Sequence, residues 1–296
     1  MANPMMPKPD IALKDFFRNN EIFAALFNGY FFHNHEVVLA KDLDPDDTSY
    51  SETIYAKGKN EKINKYRDNI RRTSLGYLVI LGIENQDKIH YSMPLRKLLY
   101  DVLGYSAELS TKSNVQDKTE WTIDERLSKV KKGTKITPII TVVFYTGEDP
   151  WDGPRSLHEM MDIDERIKPF VPDYPLYVID IGHDKNLSFT NSALEELKNI
   201  LSSIYSKTAD NNELEVDNSI IALAGILTGD KHLYLTASES KGGKQKMCKA
   251  LEERDELIKK AKDIEFASER AKMDALLAEK DARIKELEEQ LAAKVN

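Results

Sequence analysis

The sequence predicts an α/β protein with a mixed sheet flanked by helices, a helical C-terminal region and a long coiled-coil-like tail. Three observations carry this. Apolar runs at 77–83 (YLVILGI), 136–145 (ITPIITVVFY) and 176–181 (LYVIDI) read as strands buried on both faces. Segments with helical apolar spacing lie between and after them, the pattern of an α/β domain. From 245 to 295 there is no Gly or Pro, and Ala, Glu, Lys and Leu dominate, the composition of one long helix.

Taken in order, 12–32 carries Phe16, Phe17, Ile22, Phe23, Leu26 and Phe27 at helical spacing, with Gly29 near its end, and predicts a first helix. Residues 36–40 read as a short strand, 42–51 as an acidic loop, and 63–70 as a weakly alternating strand before the 77–83 run. A helix then opens with Ser92 as cap and Pro94 in its first turn, and Leu95, Leu98, Leu99, Val102 and Leu103 form its apolar stripe. GEDPWDGP (147–154) is a turn-rich loop in which Trp151 reads as a packing residue, and helices follow at 192–206 and 214–227. In the tail, one heptad frame aligns Arg270, Leu277, Ile284 and Leu291 at one seam position and Phe266, Met273, Lys280 and Leu287 at the other. Such a seam predicts a homo-oligomer, a dimer or larger, joined through the C-terminal helix. The expected division is an N-terminal segment at 1–14, an α/β domain at 15–181, a helical region at 182–238 and the tail at 239–296.

Of the 296 residues, 41% are hydrophobic and 31% charged, and the net charge is −8. No apolar run approaches the roughly 20 residues that span a bilayer, and 1–10 lacks the apolar core of a signal peptide. Cys248 is the lone cysteine, which excludes an intrachain disulfide and thiolate-rich zinc sites. A cytoplasmic setting without a membrane partner is expected. Against the overall charge, 57–97 holds ten Lys or Arg and four acids, an island able to steer a polyanion.

The segment that carries chemistry is LGIENQD (81–87), where an apolar strand ends in Glu84 and Gln86. Side chains alternate along a strand, so these two share a face. Asp68 lies sixteen residues earlier in YRDNIRR, on the preceding predicted strand. Paired as a hairpin, the strands bring Asp68 and Glu84 to one sheet edge, and two carboxylates there suit Mg²⁺ or Mn²⁺. Gln86 can position a water but cannot supply a lysine's charge. Arg96 and Tyr100, spaced i and i+4 on the side of the Pro94 helix taken as polar, are candidate phosphate contacts, as are Arg67, Arg71 and Arg72 of the island.

This order resembles the D…ExK core of PD-(D/E)XK nucleases in the variant with glutamine for lysine. Five segments are similar to the Rpn family of recombination-promoting nucleases and transposase-like proteins: FAALFN (23–28), LGIENQ (81–86), MPLRKLLYD (93–101), VVFYTGEDPWDGPRSLHEM (142–160) and MCKAL (247–251). The resemblance implies a restriction-endonuclease-like core at 15–181 and magnesium-dependent DNA cleavage in recombination or phage defence. It also implies catalytic roles for Asp68, Glu84 and Gln86, with Asp68 and Glu84 as metal ligands. Such folds often place a further acid on the first helix, where Asp15 and Glu21 compete. Family members commonly carry an acid within the segment that reads FAALFN here, where this chain has Ala25.

Other patterns carry nothing. His33 and His35 lack a third ligand, 42–53 has Asp47 and Thr53 where a calcium loop needs Gly and Glu, and Gly242-Gly243-Lys244 lacks the rest of a phosphate loop. Two rivals to DNA cleavage stand: a non-catalytic, degenerate nuclease fold acting as an oligomeric scaffold, and a nuclease acting on RNA or structured DNA ends.

Overall fold

The computed structural model describes residues 6–45, 49–56, 59–66, 69–74, 78–115, 119–206, 215–240 and 243–295. The chain enters through two helices rather than one, α1 (Pro9–Phe16) and α2 (Asn20–Phe32). The break falls where Asn19 caps α2, its side chain accepting from the Glu21 amide at 2.9 Å. Such a cap satisfies a helix-end donor that a continuous helix would not leave open.

The strand expected at 36–40 is absent. Buried Asn28 takes up that backbone instead, its Nδ2 donating to the Val38 carbonyl at 2.8 Å and its Oδ1 accepting from the Val37 and Val38 amides. A short 3₁₀ turn (Ala40–Asp42) leads into β1 (Asp44–Pro45). β2 (Ser49–Ala56) and β3 (Lys59–Tyr66) form a separate antiparallel pair.

β4 (Asn69–Ser74) and β5 (Leu78–Gln86) are antiparallel, with Asn69 opposite Ile83 and Arg72 opposite Ile80. After α3 (Met93–Val115) and α4 (Ile123–Ser128), β6 (Ile139–Tyr145) lies parallel to β5, and β7 (Tyr177–Asp180) parallel to β6. The strand order is β1-β4-β5-β6-β7, a mixed sheet. One face, through Ile83, Val142, Phe144 and Ile179, packs against α1, α2 and α5 (Ser192–Ser206). The other carries Val143, Tyr145 and Val178 against Met93, Trp151 and Leu176.

α3 does not bury the stripe its apolar residues suggest. Leu103 is buried, but Leu95 and Val102 are 53% and 50% exposed, while Lys97, Tyr100 and Asp101 face inward. Lys97 Nζ sits 2.9 Å from the Asp101 carboxylate, which also accepts from Thr141 of β6 at 3.1 Å and from the Tyr174 hydroxyl. Lys97 further lies 4.2 Å from the Tyr174 ring centroid. A paired and fully hydrogen-bonded ion pair tolerates burial where an isolated charge would not.

β8 (Glu215–Asp217) precedes α6 (Asn218–Thr228) and pairs with β9 (Lys244–Lys246), which follows α7 (Lys231–Glu239). At Gly225 a Cβ would meet the Tyr234 backbone nitrogen at 2.7 Å, so only glycine lets α6 and α7 approach this closely. α8 (Met247–Val295) is a single 49-residue helix, about 73 Å long at about 1.5 Å per residue. Its first turns belong to the core, where Met247 and Ala250 are buried and the helix packs against α7 and β9. Farther out Ile264, Phe266, Met273 and Leu277 are exposed. Among the described residues no helix is long and apolar enough to cross a membrane.

Candidate active site

β5 is a central strand, and its C-terminal end presents the candidate residues. Glu84 is in register with Val143 and Gln86 with Tyr145 on parallel β6. Of Glu84 the backbone alone is described, and Asp68 and Arg67 lie outside the described residues. Asp68 precedes Asn69 in the chain, and Asn69 is the register partner of Ile83, the residue before Glu84.

The Gln86 carbonyl accepts from the Thr146 amide at 2.9 Å, and its side-chain amide donates to the Asn85 carbonyl at 2.7 Å. These bonds fix the strand end and hold the Gln86 side chain against its own backbone. Tyr145, in register with Gln86, donates to the Asp149 carbonyl at 2.7 Å. Burial, helped by the charges of Asp180 and Asp149, pushes its phenol up to about 12, so it stays neutral at ordinary pH. The 146–154 loop is clamped beside this end. Trp151 is buried edge-on against Tyr145, its backbone amide donates to Asp180 at 2.9 Å, and its indole donates to the Gly153 carbonyl. His183 bridges Asp180 and the Glu148 carbonyl, and Tyr205 donates to the Thr146 carbonyl at 2.6 Å. Trp151 is thus the packing residue its loop suggested.

A cavity of about 260 Å³ opens at this end, lined by Lys8, Pro9, Asp10 and Leu13 of the α1 region together with Asn85, Gln86, Asp87 and Thr146. Asp10 is thus the acid of α1 that shares this cavity with Gln86, and it too forms an exposed ion pair, with Lys14 at 3.1 Å. Asp15 forms an exposed ion pair with Arg18 at 2.8 Å. Glu21 lines a different cavity of about 360 Å³, with Ala25, Asn28 and Glu36 among its neighbours. Asp10 lies before Ala12, where the apolar spacing places the start of the first helix. Pro9 at the first helical position was the signal that it starts earlier.

The predicted phosphate contacts divide by burial. Arg71 is buried, and its guanidinium donates to Asn20 Oδ1 at 3.0 Å and to the carbonyls of Ile70, Phe17 and Arg18. It ties β4 to the α1–α2 junction and is not presented to a phosphate. Arg96 Nε donates to the Tyr100 hydroxyl at 2.7 Å, and Tyr100 is buried, so this pair is a structural unit of α3. Arg72 is half-buried on β4 opposite Ile80. Next to Asp68 in the chain, Asn69 is buried with its Nδ2 unpartnered among the described residues. An orphaned donor of this kind costs about 1–3 kcal/mol.

Residues 65–216, half of the chain, match the family described as "Putative transposase, YhgA-like". The chain belongs to this family. The matched stretch contains β4, β5, β6 and β7, and so the whole of the candidate strand end apart from α1. No curated protein and no solved structure matches the chain at a significant level. The family's description points to a transposase-like class of function. Among the described residues no three His, Cys, Asp or Glu side chains come together as a metal-binding group.

Proposed function

We propose that this member of the family is a metal-dependent nuclease that hydrolyses phosphodiester bonds in DNA, with Asp68, Glu84 and Gln86 at its centre. The observation that carries the reading is the register of the β4–β5 hairpin. Asn69 stands opposite Ile83, and in the chain Asp68 immediately precedes Asn69 as Glu84 immediately follows Ile83. Gln86 follows two positions on, on the face given by strand alternation. Two carboxylates and an amide oxygen are hard donors and fit Mg²⁺ or Mn²⁺. Such an ion, when bound, supplies Lewis acidity and lowers the pKa of a water. The chain's own residues hold the donors. Thr146 pins the Gln86 backbone, and neutral Gln86 offers hydrogen bonds without adding charge. The setting we infer is cytoplasmic, with a role in recombination or phage defence.

The test is supercoiled plasmid with Mg²⁺, Mn²⁺, Ca²⁺ or EDTA, run with the wild-type chain, Asp68→Ala and Glu84→Ala. Cleavage should require Mg²⁺ or Mn²⁺ and fall below about 1% of wild type in both variants, a loss of more than about 2.7 kcal/mol of transition-state stabilisation. Independently of activity, Mn²⁺ should raise the melting temperature of the wild type and not of Glu84→Ala. A folded Glu84→Ala protein cutting at the wild-type rate sinks the assignment.

We further propose self-association through α8, supported by the exposed Ile264, Phe266, Met273 and Leu277. Light scattering should give a dimer or larger for the full chain and a monomer for a chain ending at Lys260, which keeps the buried Met247 and Ala250. Equal monomeric masses would remove the role.

A further inference from the structure

The segment between α4 and β6 carries four lysines in seven residues, Lys129, Lys131, Lys132 and Lys135, and all four are exposed. Among the described residues none of them forms an ion pair within 4.0 Å. Two acids of the flanking helices are engaged elsewhere. Glu125 accepts from the Thr122 amide and hydroxyl and from the Lys132 backbone amide at 2.9 Å. Glu108 holds Lys112 at 2.7 Å and the amide and hydroxyl of Thr137. Both acids therefore spend their hydrogen bonds elsewhere, and only the charge of Lys131 is felt by one of them, Glu125, whose carboxyl it helps to hold down.

That backbone is held along its length. Ser128 donates to the Val130 carbonyl, Thr134 donates through both its amide and its hydroxyl to the Lys131 carbonyl, and Lys112 donates to the Lys135 carbonyl at 2.6 Å. Gly133 turns the chain at φ 83°, a conformation that glycine adopts without strain. Four like charges fixed this close repel one another, and a chain of net charge −8 has enough acids to dilute them. They stand where a polyanion gains most, since each phosphate they neutralise releases a counterion.

We propose that 129–135 is a phosphate-docking rail for duplex DNA, separate from the cleavage centre. The inference rests on the nucleic-acid reading above and adds the place where the duplex is held. The rail leads into β6 at Ile139, in register with Ile80, and Val143, in register with Glu84, lies four residues farther along. At about 3.3 Å per residue that is about 13 Å, or about four base pairs of B-DNA. That stretch of β6 separates the end of the rail's segment from the register position of Glu84. Ile123 and Leu127, each more than 80% exposed on neighbouring α4, make an anionic membrane the competing partner. The rail's fixed backbone favours a regular array of phosphates over a fluid surface.

The experiment measures binding of a fluorescent 20-base-pair duplex by anisotropy, in Ca²⁺, across a salt series. It compares the wild type with a chain in which all four lysines become Gln and another in which they become Arg. The Gln variant should lose up to about 3.6 from the slope of log K against log salt, at about 0.9 per neutralised phosphate, and the Arg variant should keep the slope. Since the side chains are exposed, equal melting temperatures are expected and are checked first. A Gln variant with an unchanged slope overturns the rail, and if the wild type still cuts plasmid the nuclease reading stands. Loss of binding to vesicles of 30% phosphatidylserine in phosphatidylcholine, with duplex binding unaffected, also overturns it in favour of a membrane.

Discussion

Two stretches of this acidic chain concentrate positive charge, and they use it in opposite ways. In 57–97, Arg71, Arg96 and Lys97 are turned inward onto carbonyls, a tyrosine hydroxyl and a buried carboxylate, while Lys88 is exposed. In 129–135 the acids fix the backbone and the ammonium groups remain in water. Charge density along a sequence therefore does not tell where charge is available. What decides is whether hydrogen-bond acceptors of the fold lie within reach of each side chain, and for arginine on a strand beside a helix junction they do.

The comparison breaks most readily at Lys97. Lys97→Met leaves the buried Asp101 carboxylate without its cation, and urea unfolding should show a loss of about 3–5 kcal/mol. Replacing both, as Lys97→Met with Asp101→Leu, should recover part of it, because two apolar groups do not leave a buried charge behind. A loss under about 1 kcal/mol for the single variant would mean that the pair is not desolvated as described. Arg71→Gln comes next, at about 2–3 kcal/mol, from the carbonyls it abandons. Its salt dependence of DNA binding should match wild type, and a flattened slope would place Arg71 back among the phosphate contacts.

A smaller change calibrates these against a purely local contact. Asp217 caps α6, accepting from the Ser219 hydroxyl at 2.7 Å and amide at 2.8 Å, and these bonds hold its carboxyl below the usual carboxylate value. Asp217→Ala should cost about 1 kcal/mol at neutral pH. Because the folded pKa is depressed, that contribution is present above the unfolded pKa and fades as pH falls through the folded one. Wild type and variant should therefore converge in strongly acidic urea titrations, and a constant gap would argue that the cap acts through packing. Last, each rail lysine changed singly to Gln should move stability by no more than about 0.5 kcal/mol. A larger loss would show that its ammonium group is engaged after all.

Much of the fold was readable where one signal was strong. β6 and β7 fall within the apolar runs, β5 begins in one and continues through Gln86, α5 has the expected limits, and α8 follows from a stretch without helix breakers. The misses share a cause: side chains outside the periodic pattern decided the backbone. Asn19 split the first helix, and Asn28 satisfied the amides of 37 and 38 and so displaced a strand. On α3 the Lys97–Asp101 pair turned inward and left Leu95 and Val102 outside, because an i, i+4 pair with two further donors matches a buried environment. At the candidate site, Glu84 and Gln86 were legible because a buried strand ends in polar residues. Asp10 was not, since only the packing of α1 against the end of β5 brings it there.

The burial of Met247 and Ala250 in the same apolar core as Leu13 and Phe17 also sets a timetable for synthesis. The apolar face of α1 leaves the ribosome first, and its last core partners follow 237 residues later, from Leu13 to Ala250. At about 5–20 residues per second this interval is about 12–47 s. Throughout it the nascent chain shows unfinished hydrophobic surface, and a chaperone has that long to engage it.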